Sequence, residues 1–361
     1  MRILHVISAP AAGGAEVYVK DLAKEMVRRG HEVVIGFLSH ACDVGRDVEY
    51  EVRYLRELDD HNVEYFFIGN NSRRKIWLGV FGIRSFVNVN KIDIYHSHLK
   101  YGVLFGFFLS IPRIYTHHNI VMGVGRWWAK LSNKGVDAYV GISKICSRKM
   151  ISFFTKEVVT ILNGVDLKRL EGAVFARKLD CEKINLIAVG GIQVQKNYKL
   201  MIDAMVLLSD DLKEKCTLRI VGEGCAIYTE EIRKYIELKG VGSWVKLLGN
   251  RDDVPALLAD SSLFVMSSSW EGLPISLIEA TMAGLPCVAT DVGGCSEIIE
   301  RCNNGIVVPP ESAEKLANAI AKILSSSDYF ADCSCEAINN SHYFSLENSV
   351  RDHLVLYQKL M

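Results

Sequence analysis

Short apolar runs alternate with stretches of helical periodicity along almost the whole of this chain. Runs rich in Val, Ile and Leu, bounded by Gly, Pro, Asn or Asp, read as buried strands. In the first half they predict strands at Arg2–Ser8, Glu32–Leu38, Val63–Ile68, Ile92–His96, Arg113–Thr116, Ala138–Ile142 and Val158–Ile161. In the second half they predict strands at Ile184–Val189, Thr217–Val221, Val245–Leu248, Leu263–Met266, Cys287–Ala289 and Gly305–Val308. Helices fill the gaps, among them Glu16–Arg29 and Lys199–Leu208, and a last one covers Leu346–Leu360. Strand–helix alternation of this regularity argues for an α/β fold with parallel sheets. The stretch Leu167–Lys183 is polar and without strong periodicity, so it reads as a linker between a first domain (1–168) and a second (183–340), with 341–361 completing the chain. The apolar run from Tyr101 to Ile111 is broken by Gly and too short to span a bilayer; it reads as a buried helix.

Composition narrows the class. A chain of 361 residues is long for one domain and natural for two, each able to bury a sizeable core. With 49% hydrophobic and 23% charged residues, a disordered chain is excluded. The ten cysteines are scattered. Cys333-Ser334-Cys335 is the only close pair and lacks a partner pair, so neither a disulfide framework nor a zinc site is expected, and a reduced cytoplasm is the simplest home. Met1–Ile7 is too short for the apolar region of a signal peptide and reads as a first buried strand.

The net charge is zero but unevenly placed. Through Asp166 there are 22 Lys and Arg against 16 Asp and Glu, and after it 20 against 26. A basic half suits an anionic surface. Arg73-Arg74-Lys75, Arg126-Trp127-Trp128-Ala129-Lys130 and the run from Lys144 to Lys149 lie in that half. Basic residues beside Trp fit a lipid headgroup region, at the inner face of the cell membrane; solvated helix faces with Trp packed inward are the alternative. No nucleic-acid partner is expected.

The candidate chemistry centres on Glu271-Gly272-Leu273-Pro274-Ile275-Ser276-Leu277-Ile278-Glu279. An apolar strand ends in Ser267-Ser268-Ser269-Trp270 just before it, which places Glu271 at a strand's carboxyl end, where open α/β sheets bind ligands. Pro274 suits a first helical position, and Gly284 ends the helix. A helix start leaves N–H groups unpaired and carries partial positive charge, which suits a phosphate. One short element is therefore expected to hold a diphosphate between two hydroxyl-binding carboxylates, Glu271 and Glu279. Two glutamates at this spacing also occur on ordinary solvated helix faces.

Four further features stand out. Gly13-Gly14-Ala15-Glu16 follows the first strand and opens a helix, so its backbone is open to a phosphate or an acceptor; an ordinary tight turn is the alternative, and the stretch lacks the pattern of a nicotinamide dinucleotide site. His96, His98, His117 and His118 cluster at two strand ends without an accompanying carboxylate pattern, so no metal site is expected. Lys196 follows the Gly190-Gly191 turn, placed to contact a diphosphate or to stand as a surface lysine. Gly222-Glu223-Gly224 and Gly249-Asn250-Arg251-Asp252-Asp253-Val254 follow strands and stand as loops or as walls of a nucleotide pocket.

Taken in order, these stretches resemble the family-4 retaining glycosyltransferases, over nearly the whole chain. The resemblance rests on the Glu271-x7-Glu279 signature together with Gly13-Gly14-Ala15-Glu16, Asp93-Ile94-Tyr95-His96-Ser97-His98, Thr116-His117-His118-Asn119, Gly141-Ile142-Ser143, Ile161-Leu162-Asn163-Gly164-Val165-Asp166, Val189-Gly190-Gly191 with Lys196-Asn197, Val221-Gly222-Glu223-Gly224 and Ser296-Glu297-Ile298-Ile299. It implies the GT-B fold, two Rossmann-like domains with parallel sheets facing across an interdomain cleft, the first binding the acceptor, the second the donor, and the last helix crossing back to the first. It implies transfer of a sugar, with retention, from a nucleotide-diphosphate sugar to a glycan or lipid-linked saccharide in surface polysaccharide synthesis, with no metal and no other cofactor. A UDP-sugar is favoured and GDP-mannose is the second choice.

By the same resemblance His118, Glu271 and Lys196 are the catalytic set. His118 would hydrogen-bond the transferred sugar. Gly13, Gly14, Gly222, Arg251, Leu273, Pro274, Ile275, Ser276 and Glu279 would bind the donor, and His98 would line the acceptor side. The family usually carries Arg where this chain has Gly191, so one cation is missing and Lys199 is the candidate replacement. A nucleotide-sugar epimerase and an inactive sugar-binding or scaffold subunit of the same fold are the rival readings.

Overall fold

The computed structural model describes every residue except Val124 and Cys181, and all side chains but those two and Arg126. Cys181, inside the expected linker, and the side chain of Arg126, in the basic tryptophan stretch, thus lie outside the described residues. The chain divides into two compact units, Met1–Val165 with Leu346–Met361, and Asp166–Ser345.

The first unit is built on strands β1 (Arg2–Ile7), β2 (Glu32–Phe37), β3 (Glu64–Phe67), β4 (Ile94–Ser97), β5 (Arg113–His117), β6 (Ala138–Gly141) and β7 (Val158–Thr160). They form one sheet in the order β3-β2-β1-β4-β5-β6-β7, and every pairing in it is parallel. The second unit carries β8 (Ile184–Val189), β9 (Cys216–Val221), β10 (Val245–Gly249), β11 (Leu263–Met266), β12 (Cys287–Thr290) and β13 (Gly305–Val308). Its sheet runs β10-β9-β8-β11-β12-β13, again with parallel pairing throughout. Each expected strand is present, with ends that match or differ by at most two residues. The physical reason is the one the sequence offers: with helices on both faces, strands such as Leu263–Met266 are apolar on both sides and stand out as continuous runs.

Both cores are aliphatic and continuous. In the first unit Leu4, Val6, Val34, Ile83, Tyr95 and Phe105 pack together, and in the second Leu186, Met201, Leu218, Ile232, Val265 and Ile320 do so. The helix Leu346–Leu360 belongs to the first unit. It is tied there by Tyr18 to Ser349 (2.6 Å) and Tyr357 to His96 (2.6 Å), hydroxyl pairs buried with the core.

Three expectations are corrected. The run from Tyr101 to Ile111 is not one buried helix: the helix is Lys100–Phe105, with Gly106 at its C-cap, and Tyr101 and Phe108 are exposed. Pro274 precedes its helix, in extended backbone, and Ile275 opens it. The stretch after Leu167 is packed on the second unit, where the Arg177 N–H donates to Ser334 Oγ (2.7 Å) and its guanidinium to the Leu258 carbonyl (2.9 Å).

Candidate active site

In the second sheet the strand order reverses between β8 and β11, which are neighbours. Crossover connections diverge there and leave space at the strands' carboxyl ends. Two loops meet in that space. One follows β8 and ends in the 3-10 turn Val194–Lys196; the other follows β11 and enters the helix Ile275–Met282. They are laced together. The Ser269 N–H donates to the Gln195 carbonyl and the Gln195 amide donates to the Trp270 carbonyl, each at 2.8 Å. The Ser267 hydroxyl lies 2.9 Å from the Lys196 carbonyl. Asn197, at φ +46°, turns the chain into the helix Tyr198–Val206.

This lacing brings two of the expected catalytic residues into contact. Lys196 Nζ donates to Glu271 Oε1 at 2.7 Å, and the Ser268 hydroxyl donates to the same oxygen at 2.7 Å. Glu271 is 6% exposed. The lysine stem crosses Gly190 so closely that a Cβ there would lie 2.8 Å from Lys196 Cε. Gly222, at φ +140°, lets the end of β9 pass the same turn; a Cβ on it would lie 2.2 Å from the Gly190 carbonyl oxygen.

The helix Ile275–Met282 starts at this pair. Leu273 and Pro274 before it are buried, and Ile275 and Ser276 in its first turn are half-buried. No side chain caps it and no acidic residue stands in its first turn. Its leading N–H groups therefore keep their capacity for an anion. One turn in, Glu279 accepts a hydrogen bond from Arg169 Nη2 at 2.8 Å. Arg169 sits in the 3-10 turn Leu167–Leu170, which the Asp166 carboxylate caps. Each glutamate of the pair thus carries one cation, and Arg169 was not anticipated. The only local signal is its place three residues after the Asn163-Gly164-Val165-Asp166 turn and its neighbour Lys168.

Other expected residues fall elsewhere. Lys199 does not join Glu271; it pairs with Glu231 and lies over the Tyr235 ring. Gly191 leaves little room, since a Cβ there would lie 3.2 Å from both the Glu223 carbonyl and the Gln193 amide. A cavity of about 490 Å³ is lined by Gly222, Glu223, Gly224, Arg233, Gly249 and Asn250, among others. Arg251 does not line it, because its guanidinium is taken bidentately by the exposed Asp253 carboxylate (2.6 and 2.7 Å).

In the first unit, Gly13 precedes the helix Gly14–Arg28, and a Cβ on Gly13 would lie 2.1 Å from the Glu16 carboxylate. That carboxylate accepts from Ser8 Oγ at 2.6 Å. The anion at this helix start is therefore the chain's own Glu16, which makes the loop at Gly13 and Gly14 a poor phosphate site and leaves it suited to hydroxyl groups.

The histidines form a different group from the one expected. His117 points away and pairs with the Tyr115 hydroxyl (2.9 Å). His96, His98 and His118 are joined by His5 from β1 and His353 from the last helix. His5 Nδ1 lies 3.0 Å from His98 Nε2, and His98 Nδ1 lies 2.8 Å from His118 Nε2. His96 bridges the Thr116 hydroxyl (2.7 Å) and the Tyr357 hydroxyl. His98 is 7% exposed, about as buried as Glu271. Burial above all, with the charge of neighbouring imidazoles, holds His5 and His118 down to about 3. Burial holds His353 down to about 4 and His96 and His98 well below their usual value. All are neutral imidazoles at neutral pH. Nitrogens of His5, His96 and His98 come within 4.8 Å of one another, as in a metal cluster, but the bonds just described already engage those rings. The signal for His5 was a polar residue at the centre of an otherwise apolar strand.

The basic tryptophan stretch is outward-facing at Trp127, which is 75% exposed, while Trp128 packs edge-on against Tyr115 and Phe154. The helix Ile76–Val89 exposes Trp77, Phe81 and Arg84 on one side. Among the described residues no helix is long and apolar enough to cross a membrane.

Comparison with known proteins bears on the family and the fold. Residues 174–340 match the family model of Glycosyl transferases group 1, and residues 12–169 match that of Glycosyltransferase Family 4. The lipopolysaccharide core biosynthesis mannosyltransferase LpsB of Rhizobium meliloti is 25% identical over 246 residues, 65% of this chain and 69% of that one. The Escherichia coli UDP-Gal:alpha-D-GlcNAc-diphosphoundecaprenol alpha-1,3-galactosyltransferase is 24% identical over 299 residues, 74% and 77% of the two chains. The crystal structure of Anabaena HepE in complex with UDP-glucose superposes with a TM-score of 0.82 over the full length of both chains, at 20% identity.

Proposed function

We propose a function from one premise: this chain belongs to glycosyltransferase family 4, is a glycosyltransferase, and has the GT-B fold of two Rossmann-like domains. Its reaction is transfer of a hexose, with retention, from a UDP-sugar to a saccharide or lipid-linked acceptor in the synthesis of a cell-surface polysaccharide. The observation that carries this reading is the Lys196–Glu271 pair at the start of an uncapped helix, with Glu279 one turn further on. The preference for UDP is supported by the UDP complexes of HepE and the UDP-galactose donor named for the Escherichia coli relative. GDP-mannose is the second choice.

In this reading the diphosphate lies against the first-turn N–H groups of Ile275 and Ser276, with Leu273 and Pro274 shaping the approach to them. Glu279 accepts from the ribose hydroxyls, and Arg169 stays beside it to balance the charge. Glu271 accepts from hydroxyls of the sugar. His118, a neutral imidazole, makes one further hydrogen bond to that sugar. As the anomeric C–O bond breaks, negative charge grows on the departing diphosphate, and Lys196 and the helix start stabilise it in a preorganised field. The acceptor oxygen forms the new bond on the face the diphosphate leaves, and its proton passes to a diphosphate oxygen. No step needs a metal or other cofactor. Gly222 and the cavity at Gly249 and Asn250 receive the nucleotide end.

The test is a panel of UDP- and GDP-sugars scored for nucleotide release, with and without saccharide acceptors. Release that depends on acceptor, with an NMR-defined product keeping the donor's anomeric configuration, is expected. Release without any acceptor points to an epimerase, and no release with any donor points to a sugar-binding subunit.

A second reading rests on the exposed Trp77, Phe81, Phe108 and Trp127 beside Arg74, Lys75, Arg84 and Lys130. Aromatic and basic groups together suit the headgroup layer of an anionic membrane, and contact at the cytoplasmic face would bring the enzyme to a lipid-linked acceptor. Sedimentation with vesicles containing anionic lipid tests it.

A further inference from the structure

The proposed function uses one histidine, His118, and leaves the four behind it without a task. His5, His96, His98 and His353 are all buried. A buried imidazole must find partners for two nitrogens that differ, one a donor and one an acceptor when the ring is neutral. Two of these rings do so with each other and with His118. The chain His5–His98–His118 is joined at 3.0 Å and 2.8 Å. It is sandwiched: His96 stacks on His98 with ring centroids 4.3 Å apart, and His98 on His118 at 5.1 Å. His96 is itself held at both nitrogens, by Thr116 and Tyr357. The His98 ring therefore has little freedom to turn.

Such a chain has two proton arrangements only. In one, His118 Nε2–H donates to His98 and His98 Nε2–H donates to His5, which leaves an N–H at His5 Nε2. In the other every proton points the opposite way, and the free N–H is at His118 Nδ1. Both end atoms are buried and, among the described residues, without a protein partner. They are not equivalent. His5 lies at the centre of β1, wholly enclosed. His118, in the loop after β5, is half-buried as a residue, so its Nδ1 lies nearer solvent than His5 Nε2 although the atom itself is covered. A buried N–H without a partner is rarer in proteins than an acceptor short of one, so the enclosed end is the place for the lone pair and the outer end is the place for the proton.

We propose that His98, backed by His5, is a positioning residue that fixes the tautomer of His118, so that His118 presents Nδ1–H as a hydrogen-bond donor to an oxygen of the transferred sugar. The proposal rests on the sugar-binding role given to His118 above, but its first half stands or falls without it. Free histidine side chains favour the opposite tautomer, with the proton on Nε2. His98 Nδ1–H, donating to His118 Nε2, makes that nitrogen an acceptor and reverses the preference. This is the service that a second group renders to an active-site histidine through the ring nitrogen away from the ligand.

The test is spectroscopic and uses the full-length protein with 15N-labelled histidine rings. Long-range 15N–1H correlation spectra at neutral pH distinguish the two tautomers, and each ring is assigned by substitution. Wild-type His118 is expected to be neutral with its proton on Nδ1. In His98→Phe the proton should move to Nε2, and in His98→Asn, whose amide keeps a donor facing His118, it should return to Nδ1. A wild-type His118 protonated on Nε2 overturns the proposal, even where a variant fails to fold. So does a tautomer unmoved by His98→Phe. UDP release from UDP-glucose gives the functional half: turnover should fall about tenfold in His98→Phe and recover in His98→Asn, the size of one hydrogen bond made in the transition state. If His118→Ala leaves UDP release intact while the spectra come out as expected, the wiring stands and the sugar role of His118 falls.

Discussion

Lys196→Met offers the sharpest check on the donor site, because it predicts two separable losses. The first is in stability. Glu271 is 6% exposed, and its Oε1 accepts from two donors, Lys196 at 2.7 Å and Ser268 at 2.7 Å. Removing the lysine leaves a buried carboxylate held by the Ser268 hydroxyl. Breaking a buried pair from one side typically costs about 3–5 kcal/mol. Lys196 keeps 18% of its side chain exposed, so water recovers part of the loss; about 2–3 kcal/mol is the expected cost in the ligand-free protein. Adding Glu271→Gln removes the stranded charge and should restore most of it, so the double variant should be more stable than Lys196→Met alone. Urea melts followed by circular dichroism measure this.

The second loss is in turnover. A donor aimed at charge that develops in the transition state is worth about 2.7–4 kcal/mol, so kcat at saturating donor should fall by roughly a hundredfold to a thousandfold. Lys196→Arg keeps the charge but must fit a larger head over Gly190, and should lie between. Normal kcat in Lys196→Met, in a protein that still binds UDP, would refute the claim that Lys196 faces the departing diphosphate. A double variant as unstable as the single one would refute the pairing.

Other outcomes follow from the same structure. Glu279→Ala should weaken UDP binding in calorimetry by about 1.5–3 kcal/mol, the worth of a charge-assisted hydrogen bond; unchanged affinity removes it from the ribose. Gly190→Ala should depress turnover with the fold intact, since its Cβ would meet the Lys196 stem at 2.8 Å, and activity equal to wild type would show that the stem is free to move aside. Trp77→Ser with Phe81→Ser should reduce binding to anionic vesicles, and wild-type binding should fall as salt rises; salt-insensitive binding or none counts against membrane contact. Stability should fall as pH drops below about 6.5, the unfolded histidine value. His5, His118 and His353, held down to about 3, 3 and 4, bind fewer protons folded than unfolded in this window. Each contributes stability that is full above the unfolded value and is lost on acidification, by about 1 kcal/mol from pH 6.5 to 5.5. Equal urea midpoints at pH 7.5 and 5.5 would contradict it.

What could be read from the sequence depended on how local the determining interaction is. The strands were legible because a parallel strand covered on both faces is apolar along most of its length, as in Leu263–Met266, or in Ile184–Val189 with Asn185 its one polar residue. Glu271 was legible because a strand, a turn and a helix start follow one another within a dozen residues. The extent of the helix at Tyr101 was misjudged because hydrophobicity alone does not say where Gly106 ends it. Arg251 and Lys199 take partners that the sequence did not announce, for another reason. Each is a cation near the expected site in sequence, but Asp253 and Glu231 claim them, and Glu231 lies on a helix 32 residues away from Lys199.

The residues that went unread share one property: their partners are distant in sequence. Arg169 meets a glutamate more than a hundred positions later, and His5 meets His98 across 93 residues. Yet the second case was not without a trace. A histidine inside an apolar strand is costly to bury unless both ring nitrogens are paired. Its presence therefore demands partners on the neighbouring strand ends, and the Asp93-Ile94-Tyr95-His96-Ser97-His98 stretch supplies them at the position where β4 lies beside β1. The parallel sheet predicted from periodicity, combined with the rule that buried polar atoms must be satisfied, was enough to pair His5 with that stretch. It was not enough to choose between His96 and His98, which alternate along β4 and its extension. That choice is made by the register of β1 on β4, which sets His5 opposite His96 along the sheet and leaves the ring nitrogen of His5 within reach of His98 beyond the strand's end.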